Sequence, residues 1–319
     1  MGGLIWAIGK ENILSRLRPW LNGLLANYLG LILLIYGFDK VFGEQFYFPE
    51  PNTLFTPLGQ LTKDILFWST MGTSHTYQLV TGLVEVLAGL MLLFRKSRFA
   101  GSLLAIAVMA HISLINFSFD ISVKLFSSFL LLIAITLSAP NLKGLWQFLF
   151  QNKISVNHKA ETTITSKKTA LYYAIGKAVL LALILIEGLL PYLQAKQPKV
   201  VSTAFAVVCP AAPGSCSLGQ YAERETPKRF FFHSKGYFIV QTEQDSFYDH
   251  RIEPIGNSLY RLDGKGSISI GNCEKDGVWT IEIESLPQWS GNWLVRPIPL
   301  QNLPLNRSDF HWTIESYKD

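Results

Sequence analysis

The chain has 319 residues; 49% are hydrophobic and 13% aromatic, while only 16% are charged, well under the roughly 25% usual for soluble domains. The net charge of +5 is unevenly spread: residues 1–200 carry 17 Lys/Arg against 9 Asp/Glu, and residues 201–319 carry 11 against 14. Such a composition excludes an ordinary soluble globule, a disordered chain and a disulfide-dense mini-protein. It describes a membrane-embedded first part with a water-soluble tail.

In chain order, four apolar stretches approach the roughly 20 helical residues that cross a hydrocarbon core. They are Trp20–Phe38, Thr76–Phe94, Phe99–Phe117 and Ile121–Ala139. A fifth, Ala170–Leu193, follows a polar, lysine-bearing linker over 146–169. No small-x-small cleavage site follows the first span, so it is expected to be a membrane helix, not a signal peptide. Lys10, Arg16 and Arg18 precede span one, and Arg95, Lys96 and Arg98 separate spans two and three. Lys143, Lys153, Lys159, Lys167 and Lys168 lie between spans four and five, whereas the loops of the other parity hold only Lys40 and Lys63. The positive-inside rule then places the N-terminus in the cytoplasm. Five crossings of the cell (inner) membrane put residues 200–319 outside. Cys209, Cys216 and Cys273 all fall in that outer part, where disulfides persist. The lipid bilayer is the expected partner. No basic stripe with interleaved aromatics marks a nucleic-acid surface.

The connection between spans one and two is rich in aromatic residues (Phe46, Tyr47, Phe48, Phe55, Phe67, Trp68) and broken by Pro49, Pro51 and Pro57. Leu58, Leu61, Ile65 and Trp68 recur at helical spacing, which predicts a short amphipathic helix. It would serve either as an anchor at the outer interface or as a lid over the bundle.

Ionisable residues in a membrane helix are costly and usually face the bundle. Glu85 lies near the middle of span two, and Gly82, Glu85 and Gly89 share one face beside Thr81 and Ala88. Small residues permit close helix approach, so Glu85 is expected to look inward. It would act as a helix–helix hydrogen bond or as a proton, ion or polar-ligand site. His111 lies past the middle of span three, as a hydrogen-bonded core residue or a ligand. No second histidine stands at i+4 to support a metal, and none is expected. Lys124 starts span four, where its chain can snorkel to the interface. The topology brings Asp39, Lys40, His75, Asn116, Asp120 and Lys124 to one end of the bundle, above Glu85 and His111, as a polar funnel. The candidate binding residues are therefore Glu85, Lys40, His111, Asn116, Asp120 and Lys124. No catalytic residue is assigned.

These residues also carry a resemblance. Tyr36-Gly37-Phe38-Asp39-Lys40 ends the first span like the hG-x-x-K signature of the DoxX-like family. Gly82-x-x-Glu85-x-x-x-Gly89 is similar to that family's G-x-x-E-x-x-x-G, followed by an arginine-bearing turn. Met109 falls where the family has a methionine, and the run from Asn116 through Asp120 and Lys124 to Ser127 resembles N-F-x-x-D-x-x-x-K-x-x-S. The likeness covers about residues 20–145. It implies a four-helix membrane bundle, with relatives linked to membrane redox complexes and quinone as the cofactor suggested by that resemblance alone. No GxGxxG, Walker loop, CxxC or HExxH is present.

Residues 194–228 read as a linker rich in Pro, Ala, Ser and Gly. Period-two runs follow at Arg229–His233, Gly236–Thr242, Phe247–Ile252, Ser258–Leu262, Ser267–Ile270, Val278–Glu284, Asn292–Val295 and Phe310–Ser316. Asp263-Gly264, Asp276-Gly277 and Ser290-Gly291 suit the turns between them. They predict a small antiparallel barrel or sandwich over 229–319, an order similar to the lipocalin-like tail of some DoxX-like proteins. Cys209 and Cys216 are a candidate disulfide. The alternatives are free thiols, a pairing with Cys273, or a cycling bridge, although CxxC spacing and a flanking base are both lacking.

The expectation is an α-helical membrane protein: a four-helix transmembrane bundle (1–145), a basic cytoplasmic linker, a fifth transmembrane helix (170–193) and an extracytoplasmic β domain. The resemblance implies an auxiliary subunit of a quinone- or thiol-linked envelope redox system, with an envelope redox protein as partner. The rivals are a membrane anchor whose outer domain holds a partner, and a binding or transport protein for a lipid, ion or small solute.

Overall fold

The computed structural model describes residues 2–151, 167–193, 201–210, 226–256, 258–262, 266–271, 277–286 and 288–306. Helices α1 (Gly2–Val41), α2 (Pro51–Leu54), α3 (Lys63–Gly72), α4 (His75–Leu93), α5 (Arg98–Ser118), α6 (Lys124–Gln151) and α7 (Lys167–Leu193) are followed by eight strands. The chain divides into two compact units. One comprises Met1–Tyr47 with Lys63–Gln194, the other Phe48–Thr62 with Ala195–Asp319.

The first unit is a helical membrane bundle. Among the described residues four helices are long and apolar enough to cross a membrane: Leu17–Val41 within α1, and all of α4, α5 and α6. Each coincides with a span expected from hydropathy, and α7 occupies the place of the fifth. Their outward faces are as apolar as their inward ones. Leu125 is 85% exposed and Leu114 66%, as befits helices whose solvent is lipid. The buried core joins Ala26, Leu29 and Leu33 of α1, Ala88 and Leu92 of α4, Ala105 and Met109 of α5, and Leu130, Ile133 and Ala134 of α6. Much of that core is small, because these helices approach backbone to backbone. Asp120 makes the turn between α5 and α6 at φ 57°, a left-handed conformation that Asp tolerates better than most residues. Of the amphipathic helix expected from Leu58, Leu61, Ile65 and Trp68, only the second half is α-helical, as α3, while Leu58 and Leu61 belong to the second unit. The buried Phe67 of α3 packs with Trp68, Met71 and Phe46 against Ile115, Phe119 and Ile121.

The second unit is a closed antiparallel barrel in which every strand pairs with its sequence neighbour and the last with the first. Its strands are β1 (Thr203–Pro210), β2 (Pro227–His233), β3 (Tyr237–Thr242), β4 (Phe247–Pro254), β5 (Leu259–Leu262), β6 (Gly266–Ile270), β7 (Trp279–Ile283) and β8 (Gly291–Pro297). β2 to β8 match the first seven runs expected from alternation. β1 lies in the stretch expected to be a linker, and Phe310–Ser316 falls outside the described residues. Closure answers the barrel-or-sandwich alternative through β1, which pairs with both β2 and β8. Inward side chains fill the interior: Phe205, Phe230, Phe232, Phe238, Val240, Ile252, Ile268, Ile281, Trp293 and Val295. Leu286 and Trp289, from the connection before β8, join the same cluster, and Trp293 Nε1 donates to the Trp289 carbonyl at 2.9 Å. An eight-stranded barrel is just wide enough to be filled in this way.

Residues 48–62, expected to be part of the connection between two spans, belong to this unit as a strap on the barrel's outer face. Phe231 points outward between two inward phenylalanines, as strand alternation demands, yet it is 0% exposed. Phe55 of the strap stacks on it at 5.8 Å, and the Arg229 guanidinium lies 4.6 Å over the Phe55 ring. Gln241 Nε2 donates to the Phe55 carbonyl at 3.2 Å. Glu50, preceding α2, accepts hydrogen bonds from Ser202 and Ser234. The His233 ring nearby accepts the Lys235 amide at Nδ1. Its burial holds the imidazole below the ordinary value of 6.5, although Glu50 pulls the other way. Phe55→Ala is expected to destabilise this unit by about 1–3 kcal/mol and to open the strap to protease, with limited proteolysis and thermal unfolding of the full chain as the measurements.

Candidate functional site

The site begins with two glycine contacts between antiparallel helices. A Cβ placed on Gly89 would lie 2.8 Å from the Gly30 carbonyl oxygen, and one on Gly82 2.7 Å from that of Gly37. Only glycine fits, because the atoms met are backbone and cannot rotate away. These contacts set α1 against α4 in one register. Lys40, one turn past Gly37, starts beside Gly82, and its long side chain reaches one turn along α4 to Glu85, so the two charges meet inside the bundle. The Lys40 ammonium donates to Glu85 Oε1, with Lys40 6% and Glu85 3% exposed. A buried ion pair of this kind gains Coulomb energy against a desolvation cost of several kcal/mol per ion. Each partner therefore depends on the other.

Above the pair, aromatic side chains gather at the end of the bundle. Phe46 lies with its ring centroid 6.0 Å from Lys40 Nζ, and it packs with Phe67 and Trp68 at ring separations of 6.2 and 5.2 Å. Phe119 closes on Phe67 at 4.9 Å. An aromatic roof thus stands where a polar funnel was expected.

The other expected site residues are distributed around this centre. Asn116 is buried and donates from Nδ2 to Ser127 Oγ at 3.0 Å, bonding α5 to α6. Ser127 in turn donates to the Lys124 carbonyl at 3.0 Å. Asp120 and Lys124 pair at 2.5 Å across the exposed α5–α6 turn, and the Lys124 hydrogen bond holds the Asp120 carboxyl below its ordinary range. His111 is on the exposed side of α5, within electrostatic reach of Glu85. Asp39 is half-buried and His75 exposed. The structure therefore unites Lys40 with Glu85, gives Asn116 an interhelical bond, and leaves Asp120 with Lys124 as a separate turn pair. Among the described residues no group of three or more His, Cys, Asp or Glu could hold a metal ion. Of the candidate disulfide of Cys209 with Cys216, Cys209 falls in β1 and Cys216 lies outside the described residues.

Sequence reasoning passed over Gln78 and Ser113. Gln78 is 4% exposed and stands seven residues before Glu85, hence on the same face of α4. Its Nε2 donates to the carbonyls of Met71 and Gly72 at 3.2 and 3.4 Å. The heptad spacing from Glu85 was the available signal. Ser113, 7% exposed on α5, had none, because a lone serine in a membrane helix commonly bonds its own backbone. Ser102 and Ser138 also meet, 0% exposed, at 2.8 Å between α5 and α6.

Fold and site together define a helical membrane protein with a buried ion pair in its bundle and a filled β-barrel as its second unit. One relative is YwoB, an uncharacterized protein of Bacillus subtilis (strain 168), 29% identical over a match 119 residues long, which covers 34% of this chain and 70% of that protein. No protein-family model and no solved structure matches the chain.

Glu85→Ala strands the Lys40 ammonium in the bundle and is expected to cost about 3–5 kcal/mol. The double substitution Lys40→Met with Glu85→Leu, which removes both charges at similar volume, is expected to recover most of that loss. Thermal unfolding in detergent compares the three proteins, and a double variant no better than Glu85→Ala would contradict the pairing.

Proposed function

We propose that the chain is a multi-pass protein of the cell membrane serving as an auxiliary subunit of a quinone- or thiol-linked envelope redox system. The observation that carries this reading is the Lys40–Glu85 pair, a buried charged centre held between membrane-crossing helices. Ionisable groups in such helices are retained for function more often than for stability. The pair also supports the DoxX-like resemblance, because it joins the two stretches on which that likeness rests: Gly37 and Lys40 from one, Gly82, Glu85 and Gly89 from the other. The residues suit a quinone-type head group. Lys40 offers donors to a carbonyl, and Glu85 offers an acceptor to a hydroxyl. Purified full-length protein is expected to bind a short-chain quinone or its quinol, and Glu85→Ala to weaken that binding at least tenfold in titrations. Failure across several quinones and quinols would overturn the redox reading. A second reading, a membrane anchor that presents the barrel to a partner protein, is favoured by the filled interior, which leaves the barrel its surface to offer.

We place the N-terminus in the cytoplasm and the barrel outside. Lysine and arginine distribution supports this choice of sides, and the strap supports only that the N-terminus and the barrel are on opposite ones. Residues 48–62 join the end of α1 to the start of α3 and α4, yet they are built into the barrel unit. Strap and barrel then share one side of the membrane. α4, α5 and α6 make three crossings after the strap, so a fourth crossing, by α7, is needed to return the chain to that side. Alkaline phosphatase fused after residue 319 is expected to be active in intact cells, and the same reporter fused after Gln151 inactive. Inactivity of the first fusion would refute the arrangement.

A further inference from the structure

We propose that the polar centre of the bundle binds a hydroxyl group carried on an apolar body, a chemistry more specific than a redox head group in general. The inference rests on the reading of the Lys40–Glu85 pair as a ligand-holding centre. Its basis is an asymmetry among the buried polar atoms of α1, α4, α5 and α6. The amide donors are engaged: Gln78 Nε2 on the Met71 and Gly72 carbonyls, and Asn116 Nδ2 on Ser127 Oγ. Among the described residues of these helices four buried oxygen atoms have no hydrogen-bond partner: besides Asn27 Oδ1, far from the ion pair on α1, they are the three nearer to it, Glu85 Oε2, Gln78 Oε1 and Ser113 Oγ. All three accept hydrogen bonds, and Ser113 alone can also donate.

These atoms occupy one stretch of the bundle. Gln78 and Glu85 lie on one face of α4, two turns or about 10 Å apart along the axis. Gly101 of α5 packs against Met91 and Leu92 of α4. Counting along the antiparallel helices from that contact sets Ser113 level with about residue 80 of α4, between the two. Lys40 reaches the same stretch from α1.

A bare buried carboxylate oxygen is costly, since the cost of stripping it of water is not returned. The group that completes this site must donate to Glu85 Oε2 while tolerating the Lys40 ammonium beside it. A hydroxyl does both, because it donates its proton to the carboxylate and accepts from an ammonium N–H. An ether or ketone accepts only and leaves Oε2 bare. An anion is repelled by Glu85, and a cation competes with Lys40. The body must be apolar, because Leu, Ala, Val and Phe surround the centre and lipid surrounds the bundle.

The test is a thermal-unfolding series on the detergent-purified full chain with three probes: a para-alkylphenol, its methyl ether and a monoacylglycerol. At about 100 times Kd a hydroxyl-bearing probe is expected to raise Tm by about 5 °C. The methyl ether should leave Tm unchanged, and the Lys40→Met, Glu85→Leu protein should not respond to any probe. A response to the phenol alone assigns the site to a free aromatic alcohol, and a response to the monoacylglycerol assigns it to a lipid hydroxyl. An ether as effective as the phenol, an absence of shift with both hydroxyl probes, or a shift that survives in the double variant would each overturn the inference. Failure of the two readings is distinguishable. A phenol that binds where quinones and quinols do not defeats the redox reading alone, and a quinone that binds beside an equally effective ether defeats this one alone.

Discussion

The backbone contact between α1 and α4 governs the membrane unit. Helices in lipid gain nothing from the hydrophobic effect when they associate, so they rely on packing and interhelical polar bonds. Gly30 against Gly89 and Gly37 against Gly82 supply the packing by letting carbonyl oxygens approach the opposing Cα. Lys40 and Glu85 supply the bond. The two devices are linked by register. A helix slid by one residue would separate the glycine pairs and misalign the charges together, so each specifies the same arrangement.

The barrel obeys the opposite economy. It lives on buried area: Phe230 and Phe232 of β2 and Phe238 of β3 meet tryptophans from β8 and the connection before it. Where β2 turns Phe231 outward, the strap covers it and converts a position that alternation would leave wet into a second core with Ala204 and Ile239. The network of Arg229, Gln241 and Asp245 around that core is closely satisfied. Arg229 donates to Gln241 Oε1 at 3.1 Å and Gln241 Nε2 to Asp245 at 2.8 Å.

What the sequence revealed follows the strength of each physical signal. Spans of twenty apolar residues have one reading, and α1, α4, α5 and α6 lie where hydropathy put them. Period-two alternation located β2 to β8 to within a few residues. β1 was hidden because Thr203–Pro210, with Ala204, Ala206 and Val207 amid small residues, alternates weakly and sits beside a Pro- and Ser-rich stretch. Glu85 was legible as an inward carboxylate from its glycine neighbours. Its partner was harder to read: Lys40 was grouped with outer residues because pairing across 45 positions is not a local property. The strap was misread as a membrane-interface segment for a related reason, since aromatic residues suit both a headgroup region and a protein surface. The consecutive Phe230, Phe231 and Phe232 carried the missing clue, as a strand buried on both faces needs a cover on each.

The strap also orders events in time. Phe55 leaves the ribosome 176 residues before Phe231, and the barrel that accepts it cannot close until β8 has emerged. During that interval the strap's apolar side chains have no partner within their own unit, in a chain whose neighbouring helices are already entering lipid. Contacts so distant in sequence are slow to form, and exposed apolar segments that wait for them are prone to stray. Assembly of this protein is therefore a late closure, in which a barrel made last secures one of the first loops delivered.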